Sequence, residues 1–175
     1  MKILTSICLV MAFAFGAMAQ SEEKQKEIIK DSGEAKTAFL KKDDGMAKFF
    51  NGSYGYVIFP NVGKGGLGIG GAAGNGAAYK QGSLVGMAKL TQVSIGFQAG
   101  GQAFREVIFF ETQKEFDRFT ENKIEFTAQV SAVAAAAGVS ANAKYVDGIA
   151  IFTMAKGGLM YEASVAGQKF KYKDL

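Results

Sequence analysis

The chain has 175 residues, 49% of them apolar, with 15 Phe, 23 Gly, one Pro, one Cys, no His and a formal charge of +4. Without His, the most common general base and transition-metal ligand are missing, and a chain this apolar is composed to fold. The positive charge is thin and includes only Arg105 and Arg118 as arginines, so nucleic acid is not an expected partner.

Residues 1–19 read as a secretory leader. Lys2 supplies the positive end, Ile3 to Phe15 the apolar core and Ala17-Met18-Ala19 the small-x-small cleavage site. An apolar core of about 13 residues falls short of the roughly 20 that span a bilayer. Cleavage before Gln20 removes Lys2 and Cys8, leaving a charge of +3 and no thiol or disulfide chemistry. The expected product is one exported domain, 20–175, periplasmic or secreted and possibly peripheral to a membrane. It is helical over 21–50 and mainly strands over 53–175.

Within Ser21 to Phe50, the residues Ile28, Ala35, Phe39, Met46 and Phe50 recur at helical spacing and predict one apolar face. Gly33 and the Lys42–Gly45 stretch predict breaks into two or three pieces. Such a face usually packs on a sheet and less often lies in a membrane interface. After Asn51-Gly52 the pattern turns to strands: Tyr54–Pro60, Leu67–Tyr79, Ser83–Thr91, Val93–Gln102 and Glu106–Phe110, with turns at Asn75-Gly76 and Gln81-Gly82. Glycine at this density predicts close backbone approach, bulges and strong curvature.

Thr112 to Glu115 fits a capping box opening a short helix to about Asn122, pinned by Phe116 and Phe119. Phe126 to Ala136 reads as a strand. Gly148–Met154, Leu159–Ala166 and Lys169–Lys173 then predict a terminal meander with a turn at Ala166-Gly167. The expected fold is α+β: a curved, Gly-rich antiparallel sheet or barrel-like core, with N-terminal helices and one short helix near 112–122.

Charge is uneven along the chain. From Gly45 to Arg105 there is no acid, where average composition supplies about seven. The charges there are Lys48, Lys64, Lys80, Lys89 and Arg105. Two readings fit: buried strands exclude charge, or these residues form a basic face for an anionic surface. Ile58-Phe59 before Lys64-Gly65-Gly66-Leu67 echoes Ile151-Phe152 before Lys156-Gly157-Gly158-Leu159. On the second reading, Lys64 and Lys156 sit on related glycine-flanked turns and join Lys48, Lys80 and Lys89 as lipid-binding residues. On the first, each lysine merely solvates a turn.

No catalytic constellation emerges. The acids cluster in the charged stretches Glu22–Asp44 and Glu106–Glu125, which read as solvated helix faces. Gly63 to Gly68 and Gly66 to Gly71 each satisfy G-x-G-x-x-G, but no helix follows and the next acid is Glu106. Lys64 has no following Ser or Thr, so a P-loop fails too. No nucleotide, cofactor, metal or enzymatic activity is expected.

Several motifs in order carry a family likeness. They are Phe59-Pro60 closing an apolar strand, Lys64, the series Gly66, Gly68, Gly70 and Gly71, the stretch Ser94–Gln102, the run Val107–Phe110 and the closing Lys156–Met160. Over Ala47 to Lys173 the chain resembles the lipid-binding SYLF domain family. The resemblance implies non-enzymatic binding of acidic phospholipid, with an anionic membrane surface as partner. An envelope protein as partner, or an apolar ligand carried in an enclosed cavity, are the alternatives.

Overall fold

The computed structural model describes residues 2–67, 69–95, 102–126, 132–156 and 165–175. Helix α1 (Lys2–Lys42) runs without interruption through Gly33, contrary to the break expected there. Gly33 is exposed and a Cβ there would meet nothing within 4 Å, so its cost is only the loss of about 1 kcal/mol of helix propensity. The break falls where Asp43 accepts from the Gly45 N–H and starts a 3-10 turn, Asp44–Met46, that redirects the chain into α2 (Ala47–Gly52).

The predicted apolar face forms. Ala35, Phe39, Met46 and Phe50 are buried and Ile28 half-buried. The face packs on the sheet against Tyr56, Ile58, Val107, Phe109 and Phe152. Phe50 meets Phe109 edge-on at 4.9 Å, a geometry that adds to simple area burial. Among the described residues, no helix is long and apolar enough to cross a membrane.

Seven strands follow: β1 (Gly55–Leu67), β2 (Ile69–Lys80), β3 (Ser83–Ile95), β4 (Gln102–Phe110), β5 (Val133–Ala134), β6 (Ile149–Ala155) and β7 (Gln168–Asp174). Helix α3 (Gln113–Thr120) follows β4. The sheet order is β5-β6-β4-β1-β2-β3-β7, antiparallel except at β5–β6. The fold is α+β, and its sheet is strongly curved without closing into a barrel. Gln168 on β7 donates to Glu106 on β4 at 2.9 Å, although β1, β2 and β3 lie between them. Flat strands at about 4.8 Å spacing would hold the two roughly 19 Å apart, so the sheet coils around its concave face. That face is filled by Phe59, Phe104, Phe110, Phe170 and, from α3, Phe116 and Phe119.

Pro60 lies inside β1, longer than predicted, at a bulge where the register with both neighbours shifts. The bulge explains the glycines opposite. A Cβ at Gly74 would stand 2.8 Å from the Asn61 carbonyl oxygen, and one at Gly76 would strike the Ile58 carbonyl. Asn75-Gly76 is therefore strand interior, not the predicted turn. The turn is at Gln81-Gly82, both with positive φ (48° and 82°), as a two-residue hairpin requires.

The predicted strands Ser83–Thr91 and Val93–Gln102 become one continuous β3 to Ile95 and the start of β4, with 96–101 outside the described residues. The described part of Phe126–Ala136 contains only the two-residue β5. The closing Lys-Gly-Gly-Leu-Met motif beyond Lys156, and the predicted strand Leu159–Ala166 up to residue 164, also lie outside them. At Thr112 the hydroxyl donates to the Glu115 carboxylate instead of capping a backbone N–H, so the box closes on itself.

Candidate functional site

Strand alternation places the lysines. On β7, Lys169, Lys171 and Lys173 point away from the concave core that holds Gln168 and Phe170, and all three are exposed. Antiparallel pairing sets Lys171 directly opposite Lys89 on β3, with Lys169 opposite Thr91 and Lys173 opposite Met87. Four lysines thus share one convex face of two adjacent strands. Val93, 72% exposed, extends the same face of β3 beyond Thr91.

Like charges directly opposite are destabilising, by roughly 0.2–1 kcal/mol. Lysines on the edge strand β7 discourage pairing with another chain, which accounts for Lys169, Lys171 and Lys173. It does not account for Lys89 on the inner strand. Lys169 offsets part of its charge against Glu125 at 3.3 Å, whereas Lys89, Lys171 and Lys173 form no ion pair among the described residues.

The polar row continues inward, since Lys89 stands opposite Asn75 on β2 and Asn75 opposite Asn61 on β1. There the exposed Lys156 donates to Asn61 Oδ1, and Asn61 Nδ2 donates to Asp31 of α1 at 3.0 Å. The structure therefore brings Lys156 onto the same face as Lys89, with Asp31 at its inner end.

The other three predicted lysines are elsewhere. Lys64 lies inside β1, between Ala72 and Gln102 in the sheet, not on a turn, and two residues from Val62 it shares the concave side. Lys80 is at the β2–β3 hairpin, its ammonium 5.1 Å from the Tyr54 ring, and hydrogen bonding to Tyr54 holds its pKa above the ordinary range. Lys48 on α2 reaches the Ala141 carbonyl at 3.5 Å and lies 5.0 Å from the Phe49 ring. The three β7 lysines are absent from the sequence-based set because they lie outside the acid-free segment Gly45 to Arg105. Their signal was the period-two run Lys169-Phe170-Lys171-Tyr172-Lys173.

Three acids are buried among the described residues, Asp43, Glu106 and Glu115, and the Thr112 hydroxyl on the Glu115 carboxylate holds its pKa below the usual value. Burial pushes the Asp43 carboxyl up, but the N–H groups of Ser140, at 2.7 Å, and Gly45 outweigh it and leave its pKa below the usual value. Glu106 has only Gln168 to offset its burial, and its pKa is pushed up to about 8. Among the described residues its other carboxyl oxygen has no hydrogen-bond partner, and neither does the hydroxyl of Thr153 beside it on β6.

Residues 91–174, from the middle of β3 to the end of β7, match the family model described as "Ysc84: Las17-binding protein actin regulator". The chain carries a Ysc84 (SYLF) domain. It is also 32% identical over 123 residues to "Beta cell expansion factor A" of Aeromonas veronii. That match covers 69% of this chain and 46% of the relative, so the chain spans about half the length of the protein it matches. The Ysc84 match includes Lys156, Lys169, Lys171 and Lys173, while Lys48, Lys64, Lys80 and Lys89 precede it.

Proposed function

We propose that this Ysc84 domain binds anionic phospholipid at a membrane surface through its convex lysine face, without catalysis. The observation that carries the reading is the juxtaposition of Lys89 and Lys171, flanked by Lys169 and Lys173 and extended inward by Lys156. Each lysine near an anionic leaflet contributes about 1 kcal/mol, so five give salt-sensitive attachment, and the exposed Val93 adds an apolar contact at the rim. The leader-like residues 1–19 support an exported setting, periplasmic or secreted. Lys48, Lys64 and Lys80 add to the general positive field in this reading without belonging to the face.

The family description names a protein partner, Las17, so a protein, such as one of the envelope, is the alternative occupant of the same face. Co-sedimentation with phosphatidylglycerol and phosphatidylcholine vesicles over a salt series distinguishes them. Binding confined to the anionic vesicles and falling steeply with salt is expected. Equal binding to both, or to neither, counts against a phospholipid surface.

A further inference from the structure

A cleft at the β5–β6 side of the sheet meets the lysine face only at its rim, where Glu125 pairs with Lys169. Strand β6 pairs with β5 only at Phe152 and Thr153, which leaves its first residues, from Ile149, at the sheet margin. There the segments 124–126 and 142–147 wall a trough of 630 Å³, in the range of pockets that enclose one small molecule. Its floor is apolar, formed by Ile124, Phe126, Val133, Ile149 and Ile151. Val146 stands on its rim, 69% exposed.

The rim carries Arg118, Lys144, Glu125 and Asp147. Glu125 is already engaged by Lys169 at 3.3 Å. Arg118 and Lys144 form no ion pair among the described residues, so two uncommitted cations face one uncommitted acid above an apolar floor. Such a rim attracts a carboxylate, and an arginine can hold both of its oxygens at once.

We infer that the trough takes the alkyl chain of a single-chain anionic amphiphile, a long-chain carboxylate, with its head held by Arg118 and Lys144. The inference rests on the lipid reading for the class of ligand alone, since it uses none of Lys89, Lys156, Lys171 or Lys173. Alkyl chains gain from burial at each methylene, and Val146 extends the apolar contact to the mouth.

Fluorescence titration of the full chain with cis-parinarate, below its self-association concentration, tests the inference. Saturable binding is expected, displaced by palmitate and not by hexadecyltrimethylammonium. Arg118→Glu with Lys144→Glu weakens it roughly tenfold, as loss of charged hydrogen bonds does. Ala143→Trp fills the trough and abolishes it. Should the charge reversal fail to fold, judged by circular dichroism, Arg118→Gln with Lys144→Gln gives the same reading. Lys89→Glu with Lys171→Glu leaves parinarate affinity unchanged while reducing vesicle binding, so the two readings fail separately. No saturable binding, equal displacement by the cationic amphiphile, unchanged affinity in both cleft variants, or displacement only by an extended peptide adding to β6 overturns it.

Discussion

Glu106→Gln is expected to change how the stability of the domain depends on pH. Glu106 is wholly buried on the concave face, between Phe59 and Thr153 in the sheet, and accepts one hydrogen bond, from Gln168. Its pKa is raised from 4.5 to about 8 by burial, with the Gln168 bond opposing. Below pH 4.5 the carboxyl is protonated in both folded and unfolded chains. Between 4.5 and 8 the folded chain keeps its proton while the unfolded chain loses it, so stability falls as pH rises, by about 1.4 kcal/mol per pH unit. The loss accumulates to about 5 kcal/mol and levels off above pH 8. A neutral glutamine has no such titration. Urea unfolding of both proteins at intervals from pH 4.5 to 9 should give similar stabilities at the acid end and a growing advantage for the variant toward pH 8. Other carboxylates, such as Asp43, titrate alike in the two proteins and cancel in the difference. A difference that stays constant across the range would refute the assignment of a buried, uncharged Glu106.

Gly76→Val should destabilise the domain by about 1–3 kcal/mol in thermal or urea unfolding, because its side chain meets the Ile58 carbonyl at the β1 bulge, whereas Gly33→Ala should be neutral or stabilising. Phe39→Ala should cost about 3–5 kcal/mol by opening the packing between α1 and the sheet, measured by the same assay. Intact mass of the protein recovered from its native cells should place the mature N-terminus at Gln20, without acylation; retention of Met1 would remove the leader.

The N-terminal face was legible because its burial follows the helical period that α1 and α2 impose on Ala35, Phe39, Met46 and Phe50. Its continuity through Gly33 was not, because tertiary packing outweighs one exposed glycine. Curvature was readable in the glycine density, but Asn75-Gly76 has the composition of a turn. Only the β1 bulge, a feature of the neighbouring strand, shows that these residues are strand interior. The site was half legible. Strand alternation within 169–173 was written in the sequence, whereas the register that sets Lys171 opposite Lys89 joins residues 82 apart and depends on the whole sheet order. The same holds for Lys156, which reaches the face by crossing to Asn61, and for Lys64, which the register places on the concave side.

The location of charge, as opposed to its total, is the central claim. Lys89→Glu with Lys171→Glu should reduce binding to phosphatidylglycerol vesicles at least tenfold in co-sedimentation, since each reversal replaces an attraction of about 1 kcal/mol with a repulsion. Lys24→Glu with Lys26→Glu, the same charge change on an exposed part of α1, should reduce it far less. Equal losses from the two pairs would contradict the lysine face and leave only net charge.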